Sequence, residues 1–367
     1  MYSAYLIIAG VSLYLACFSQ QVVSSSVQPA RKPNVLLIIA DDLRPTLGCY
    51  GDELALTPSI DSLAQDGVLF TNAHAQQALC GPSRTSFLTS RRPDTLRVYE
   101  NHCHYWRHTV GNFTTIPQYF KESGYHTVSV GKVFHPELYP IERIKLPPNH
   151  ELPAELPPVA WNPWTDVRKR HDASLLNVSF PYGPLPVDFQ HQEYSKFSNF
   201  QMATNVPLIV SPPRSQRSSP RGKGAERVDD PVALVDLFPT LASLASLPVP
   251  PSCRSSGGSS QSVHPVQRKE VLHQYPRPSD TPQENSDQPA LEDIRIMGYS
   301  MLSRDYRYTE WIGFDPTNFR RNWTSVYARE LYNLSSDPRE DRNVAGSPEY
   351  KDVVVALSSR LRELVGS

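Results

Sequence analysis

The stretch NVLLIIA, residues 34–40, constrains the fold more than any other part of this chain. It is β-prone and apolar at nearly every position, not at alternate ones, which predicts a strand buried on both faces. It stops abruptly at Asp41 and Asp42. Strands of this kind belong to parallel sheets covered by helices, and the next segments fit that arrangement. Residues 57–75 (TPSIDSLAQDGVLFTNAHA) predict a helix and then a strand, with Thr57 as N-cap, Pro58 in the first turn and Gly67 past the end. Residues 114–135 (TTIPQYFKESGYHTVSVGKVFH) repeat the logic, with Gly124 as helix stop, a strand, and then Gly131-Lys132. Residues 206–213 (VPLIVSPP) predict another short buried strand, and residues 232–247 (VALVDLFPTLASLASL) an amphipathic helix.

Proline interrupts this pattern. The chain of 367 residues carries 35 prolines, concentrated in irregular stretches such as residues 137–186. Two Ser/Gly-rich linkers follow, a basic one at residues 214–227 and a second at 249–270. Beyond them, residues 294–314 (IRIMGYSMLSRDYRYTEWIGF) alternate as antiparallel strands do, and residues 350–364 predict a C-terminal helix. The expected organisation is an α/β domain over 31–248, a linker over 249–270 and a smaller α+β subdomain over 271–367.

A net charge of −1 gives no global field for nucleic acid or anionic lipid. Residues 1–25 hold one apolar run, too short to span a bilayer comfortably, followed by small polar residues; this predicts a secretory signal peptide and no stable membrane insertion. Sequons at Asn112, Asn177, Asn322 and Asn333 agree with a glycosylated protein of the secretory route. Past the leader, Cys49, Cys80, Cys103 and Cys253 are too few for a disulfide scaffold, and their pairing stays open.

Two constellations can carry chemistry. Asp41 and Asp42 lie at the carboxyl end of the predicted strand, where open α/β sheets collect ligands; two carboxylates supply half of a calcium site. The second is CGPSRTSFLTSRRP, residues 80–93. Pro82 stiffens the backbone beside Cys80 at a predicted helix start, where the helix dipole favours negative charge, and Arg84 offers a planar cation suited to an oxyanion.

C-x-P-S-R followed by x-x-[FL]-L-T resembles the signature of the sulfatase family. Cys80, Pro82, Ser83 and Arg84 match it, while Ser90 stands where the family usually has glycine. The resemblance extends to GYHTVSVGKVFHP and ELYNLSSDPREDRNVA and covers nearly the whole mature chain. It implies an alkaline-phosphatase-like fold, mostly parallel sheet flanked by helices. It also implies that Cys80 is oxidised to formylglycine by the formylglycine-generating enzyme, and that the aldehyde hydrate attacks sulfur. Calcium would be held by Asp41, Asp42 and residue 80, with Arg84, Lys132, His135 and Lys196 around the sulfate. Details outside these motifs are similar to members that act on heparan and dermatan sulfate in the lysosome.

Two blocks of the family pattern have no counterpart. One carries the second carboxylate cluster, Asp-His or Asp-Asn before Gly; the other carries a second histidine beyond GKVFHP. The joins fall at Pro136–Glu137 and near Gln190–Glu193. Removing a strand from a parallel sheet is expected to leave apolar surface open.

Overall fold

A computed structural model describes residues 32–101, 106–135, 197–213, 226–250, 270–281 and 288–366. The described residues from Val35 onward belong to one compact unit. Within it two four-stranded sheets form.

The first sheet is built around β1 (Val68–His74). Helix α1 (Pro58–Gln65) precedes it, started by a proline in the first turn. Thr57 does not cap α1 with its side chain. Its hydroxyl donates to Asp61 at 2.9 Å and accepts from the Gly48 N–H at 3.0 Å, stitching the helix to the preceding loop. β2 (Asn205–Val210) pairs with β1 antiparallel, whereas β3 (Glu226–Val228) and β4 (Val232–Ala233) pair with it in parallel. The described part of this sheet is therefore mixed. β3 falls at the end of the stretch expected to be linker. Helices α2 (Cys80–Thr89), α3 (Ile116–Glu122) and α4 (Leu237–Leu244) bury Phe87, Leu88, Ile116, Phe120 and Phe238 in a common core.

Two predicted strands are absent. Residues 35–40 form no strand, and residues 125–130 contribute only an isolated bridge at Val128. Leu36 is 84 % exposed and Ile38 77 %, with Val128 and Val130 also exposed, while Ile39 packs on the core around Phe87. A strand apolar on both faces needs neighbours on both edges. Here β1 occupies the centre of the described sheet, with β2 on one side and β3 and β4 on the other, and none of these strands pairs with residues 35–40.

The second sheet runs in sequence order: β5 (Val271–Arg277), β6 (Ile296–Leu302), β7 (Tyr306–Asp315) and β8 (Arg320–Asn333), all antiparallel. β6 pairs with β5 and β7 along its whole length. Gly298 sits directly opposite Trp311, whose ring would lie 2.6 Å from an added Cβ, so only glycine lets the indole lie flat there. Helix α5 (Lys351–Val365) covers the sheet with Val353, Val354, Leu357, Leu361 and Leu364, the spacing of one helical face. Fully buried Arg307 on β7 pairs with Glu340.

Among the described residues no helix is long and apolar enough to cross a membrane. Asn112 and Asn322 are exposed and Asn333 is half-buried, while Asn177, Cys103 and Cys253 lie outside the described residues. Neither Cys49 nor Cys80 forms a disulfide with another described residue.

Candidate functional site

The site forms where α2 begins. β1 runs into the loop 75–79, every residue of which is buried, and Cys80 is the first helical residue after Leu79. Helix starts leave N–H groups without helical partners. The Gly81 N–H is taken up by Asn101 Oδ1 at 2.9 Å. Thr85 and Thr89 turn their hydroxyls back onto the Gly81 and Thr85 carbonyls, which lets a nearly all-buried helix carry polar residues. The helix closes at Ser90, in the left-handed region at φ 58°, with its hydroxyl donating to the Val235 carbonyl. Glycine reaches that conformation without strain, a physical reason for its usual presence at this position.

Cys80 Sγ lies 3.4 Å from Asp41 Oδ1, 3.7 Å from Asp42 Oδ1 and 3.4 Å from Lys132 Nζ. Lys132 Nζ is 2.6 Å from Asp41 Oδ2, and Arg84 Nη2 is 2.8 Å from Asp41 Oδ1. Arg84 also donates to the carbonyls of Lys132 and Val133. Lys132 follows Gly131, which turns the chain at φ 74°, a conformation a side chain would strain. Burial alone would raise the Asp41 pKa, but hydrogen bonds and charge from Lys132 and Arg84 outweigh it and hold the carboxyl well below the usual range.

Five of the predicted site residues thus meet in one place: Cys80, Arg84, Lys132, Asp41 and Asp42. His135 ends the described part of the same loop, half-buried, three residues beyond Lys132. Lys196 lies outside the described residues. Sequence reasoning missed Asn101, whose amide oxygen caps the helix start. Twenty residues separate it from Gly81, and its own neighbours in sequence carry no cue to that contact. It also missed the partners of the loop 75–79, among them the backbone of Gln274.

Ligand atoms of Asp41, Asp42 and Cys80 lie within 4.8 Å of one another, the arrangement a metal could use. Calcium takes roughly six to eight oxygens and favours uncompensated carboxylates. Here both Asp41 oxygens already face cations, Lys132 on one and Arg84 on the other. Two acidic and two basic side chains leave the cluster near neutral. The described residues do not by themselves fit a calcium site.

Comparison with known proteins bears on the same residues. A family model described as Sulfatase matches residues 33–136. Iduronate 2-sulfatase of Mus musculus is 35 % identical, with 88 % of this chain and 93 % of the relative covered. The Homo sapiens protein of that name is 36 % identical over the same shares. The mouse alignment extends over 514 positions on a chain of 367 residues, so long stretches of the relative have no counterpart here. Among solved structures, a 2-O GAG sulfatase superposes with TM-score 0.56 at 17 % identity, covering 91 % of this chain and 92 % of that one. A phosphonate monoester hydrolase of Agrobacterium radiobacter does so with TM-score 0.59 at 15 % identity, covering 90 % and 95 %. Likeness at that identity speaks for the alkaline-phosphatase-like fold.

Proposed function

Because the chain belongs to the sulfatase family, hydrolases of sulfate esters, we propose that its substrate is the 2-O-sulfate of terminal iduronate in heparan and dermatan sulfate. The names of the mouse and human relatives support that specificity. The observation that carries the site assignment is the position of Cys80, first in a buried helix and 3.4 Å from the Lys132 ammonium. Converted by the formylglycine-generating enzyme, residue 80 would supply a hydrated aldehyde whose oxygen attacks the sulfur. The Arg84 and Lys132 side chains, both largely shielded from water, bind the ester's anionic oxygens and orient it toward residue 80. Lys132 neutralises charge that grows on the sulfuryl oxygens as the bond to the leaving alcohol breaks. His135 and Lys196 complete the anion contacts in this reading. Calcium is implied by the family; of its ligands this chain would supply Asp41, Asp42 and residue 80, which by themselves do not make up a calcium site. Residues 1–25 act as the signal peptide, 31–248 as the catalytic part, 249–270 as linker and 271–367 as the second subdomain. The product travels as a glycoprotein through the secretory route to the lysosome.

A second reading has its own observations. Long stretches of the relatives are missing here, and Asp41 is engaged by two side-chain cations. On that reading the chain keeps the nucleophile motif but turns nothing over. The test is to secrete the full chain, read the oxidation state of residue 80 by peptide mass spectrometry, and assay a 2-O-sulfated iduronide with and without calcium. Turnover that vanishes in Cys80→Ala supports the first reading. A folded chain, oxidised at residue 80 and inert on this substrate, supports the second.

A further inference from the structure

Burying a loop strips water from its backbone, so each polar group then needs a protein partner. The loop 75–79 finds several of its partners far away in the chain. The Ala75 N–H donates to the Thr204 carbonyl at 2.9 Å, and the Gln76 carbonyl accepts the Gln274 N–H at 2.9 Å. Gln76 Oε1 accepts the Val235 N–H, and Gln77 Nε2 donates to the Tyr99 carbonyl. The Ala75 carbonyl is met by a side chain, His273 Nδ1, at 2.9 Å. A carbonyl only accepts, so Nδ1 carries the proton and Nε2 is the bare nitrogen, which has no hydrogen-bond partner among the described residues.

We propose that His273, from β5 of the second sheet, is a positioning residue for Cys80: its Nδ1–H fixes the Ala75 carbonyl and thereby the short loop that delivers the nucleophile. The proposal rests on the reading of Cys80 as the nucleophile. Its geometry is specific. His273 is 2 % exposed, its ring lies 5.1 Å from that of His74 at the end of β1, and Ala75 is the residue that follows His74. Burial, with the Arg307 cation nearby, pushes the His273 pKa down to about 3, so the ring stays neutral and the Nδ1–H tautomer persists over the working pH range. The neighbouring tie from the Gln274 N–H is backbone to backbone and survives any side-chain change at position 273. Loss of the imidazole therefore loosens the loop without releasing it.

The test uses the full chain, with amide hydrogen exchange followed residue by residue in wild type, His273→Ala and His273→Asn. Asparagine can place a side-chain N–H where Nδ1–H now sits. Loss of this hydrogen bond in His273→Ala should raise exchange at residues 76–81 by about tenfold, leave β6 and β7 amides unchanged, and speed alkylation of unconverted Cys80. His273→Asn should return both readouts to within about twofold of wild type. In turning-over enzyme, His273→Ala should lower kcat with little change in KM. Unchanged exchange at 76–81 in His273→Ala would overturn the proposal. So would an asparagine variant as loose as alanine, or a rise spread evenly over β5–β8. If wild type turns nothing over, the proposed activity fails on its own, and the exchange comparison still decides the role of His273.

Discussion

The two sheets of this molecule make a controlled contrast. The second pairs each strand with its neighbour in sequence, β5 to β6 to β7 to β8, and α5 closes its face. The first collects strands from residues 68–74, 205–210, 226–228 and 232–233, so its completeness depends on chain far away. Against the relatives it is the interior of the chain that has lost sequence. The locally wired sheet is whole, whereas the apolar run at 35–40 stands without a ladder, with Leu36 and Ile38 facing water. Sheets built from hairpins tolerate deletions elsewhere; sheets built from long crossovers do not.

The largest expected effect lies in the second sheet. Glu340→Ala strands the fully buried Arg307 without its carboxylate and should cost about 3–5 kcal/mol, read from urea unfolding. A loss below about 1 kcal/mol would mean that this sheet does not carry the stability its packing suggests.

Next in size is a pH effect at the seam between the sheets. His74 and His273 are both buried, and desolvation followed by nearby positive charge lowers their pKa values, His273 to about 3. The unfolded chain binds those protons near pH 6.5 and the folded chain does not, so stability should fall as pH drops from about 6.5 toward 3. The slope should reach up to about 1.4 kcal/mol per pH unit for each histidine. His74→Phe should flatten it, as urea midpoints across that window would reveal; an unchanged slope would place the acid sensitivity elsewhere.

The smallest effect, at Leu36 and set against a core position, sharpens the contrast most. Ile312→Ala in β7, fully buried, should cost about 2–4 kcal/mol. Leu36→Ser should stay within about 0.5 kcal/mol, because that side chain is already in water. The serine variant should also be more soluble at high concentration, as light scattering would register. Comparable losses at the two positions would mean that residues 35–40 are covered in solution.

What the sequence made legible follows the same division. Alternation identified β6 and β7, and residues 350–364 read as the helix that became α5, because both signals are local. The C-x-P-S-R run marked the helix start near Cys80, whereas the left-handed turn at Gly131 that presents Lys132 came only from the structure. The run at 34–40 misled because its strand character is conditional on neighbours that its own residues cannot encode. Thr57 takes the N-cap position its sequence context predicts, but its hydroxyl bonds Asp61 in place of the helix N–H groups. The hold of His273 on Ala75 spans 198 residues, and a lone histidine in a β-pattern carries no cue to that distance.

Asp41 has a further consequence. On the proposed function, its carboxylate is an anion tethered inside the anion site, bound at once by Arg84 and Lys132. Any sulfate ester that reaches those cations enters a competition with a rival whose effective concentration is set by the fold and never falls. Weak anions lose that exchange, so Asp41 acts as a built-in threshold on what the site will hold.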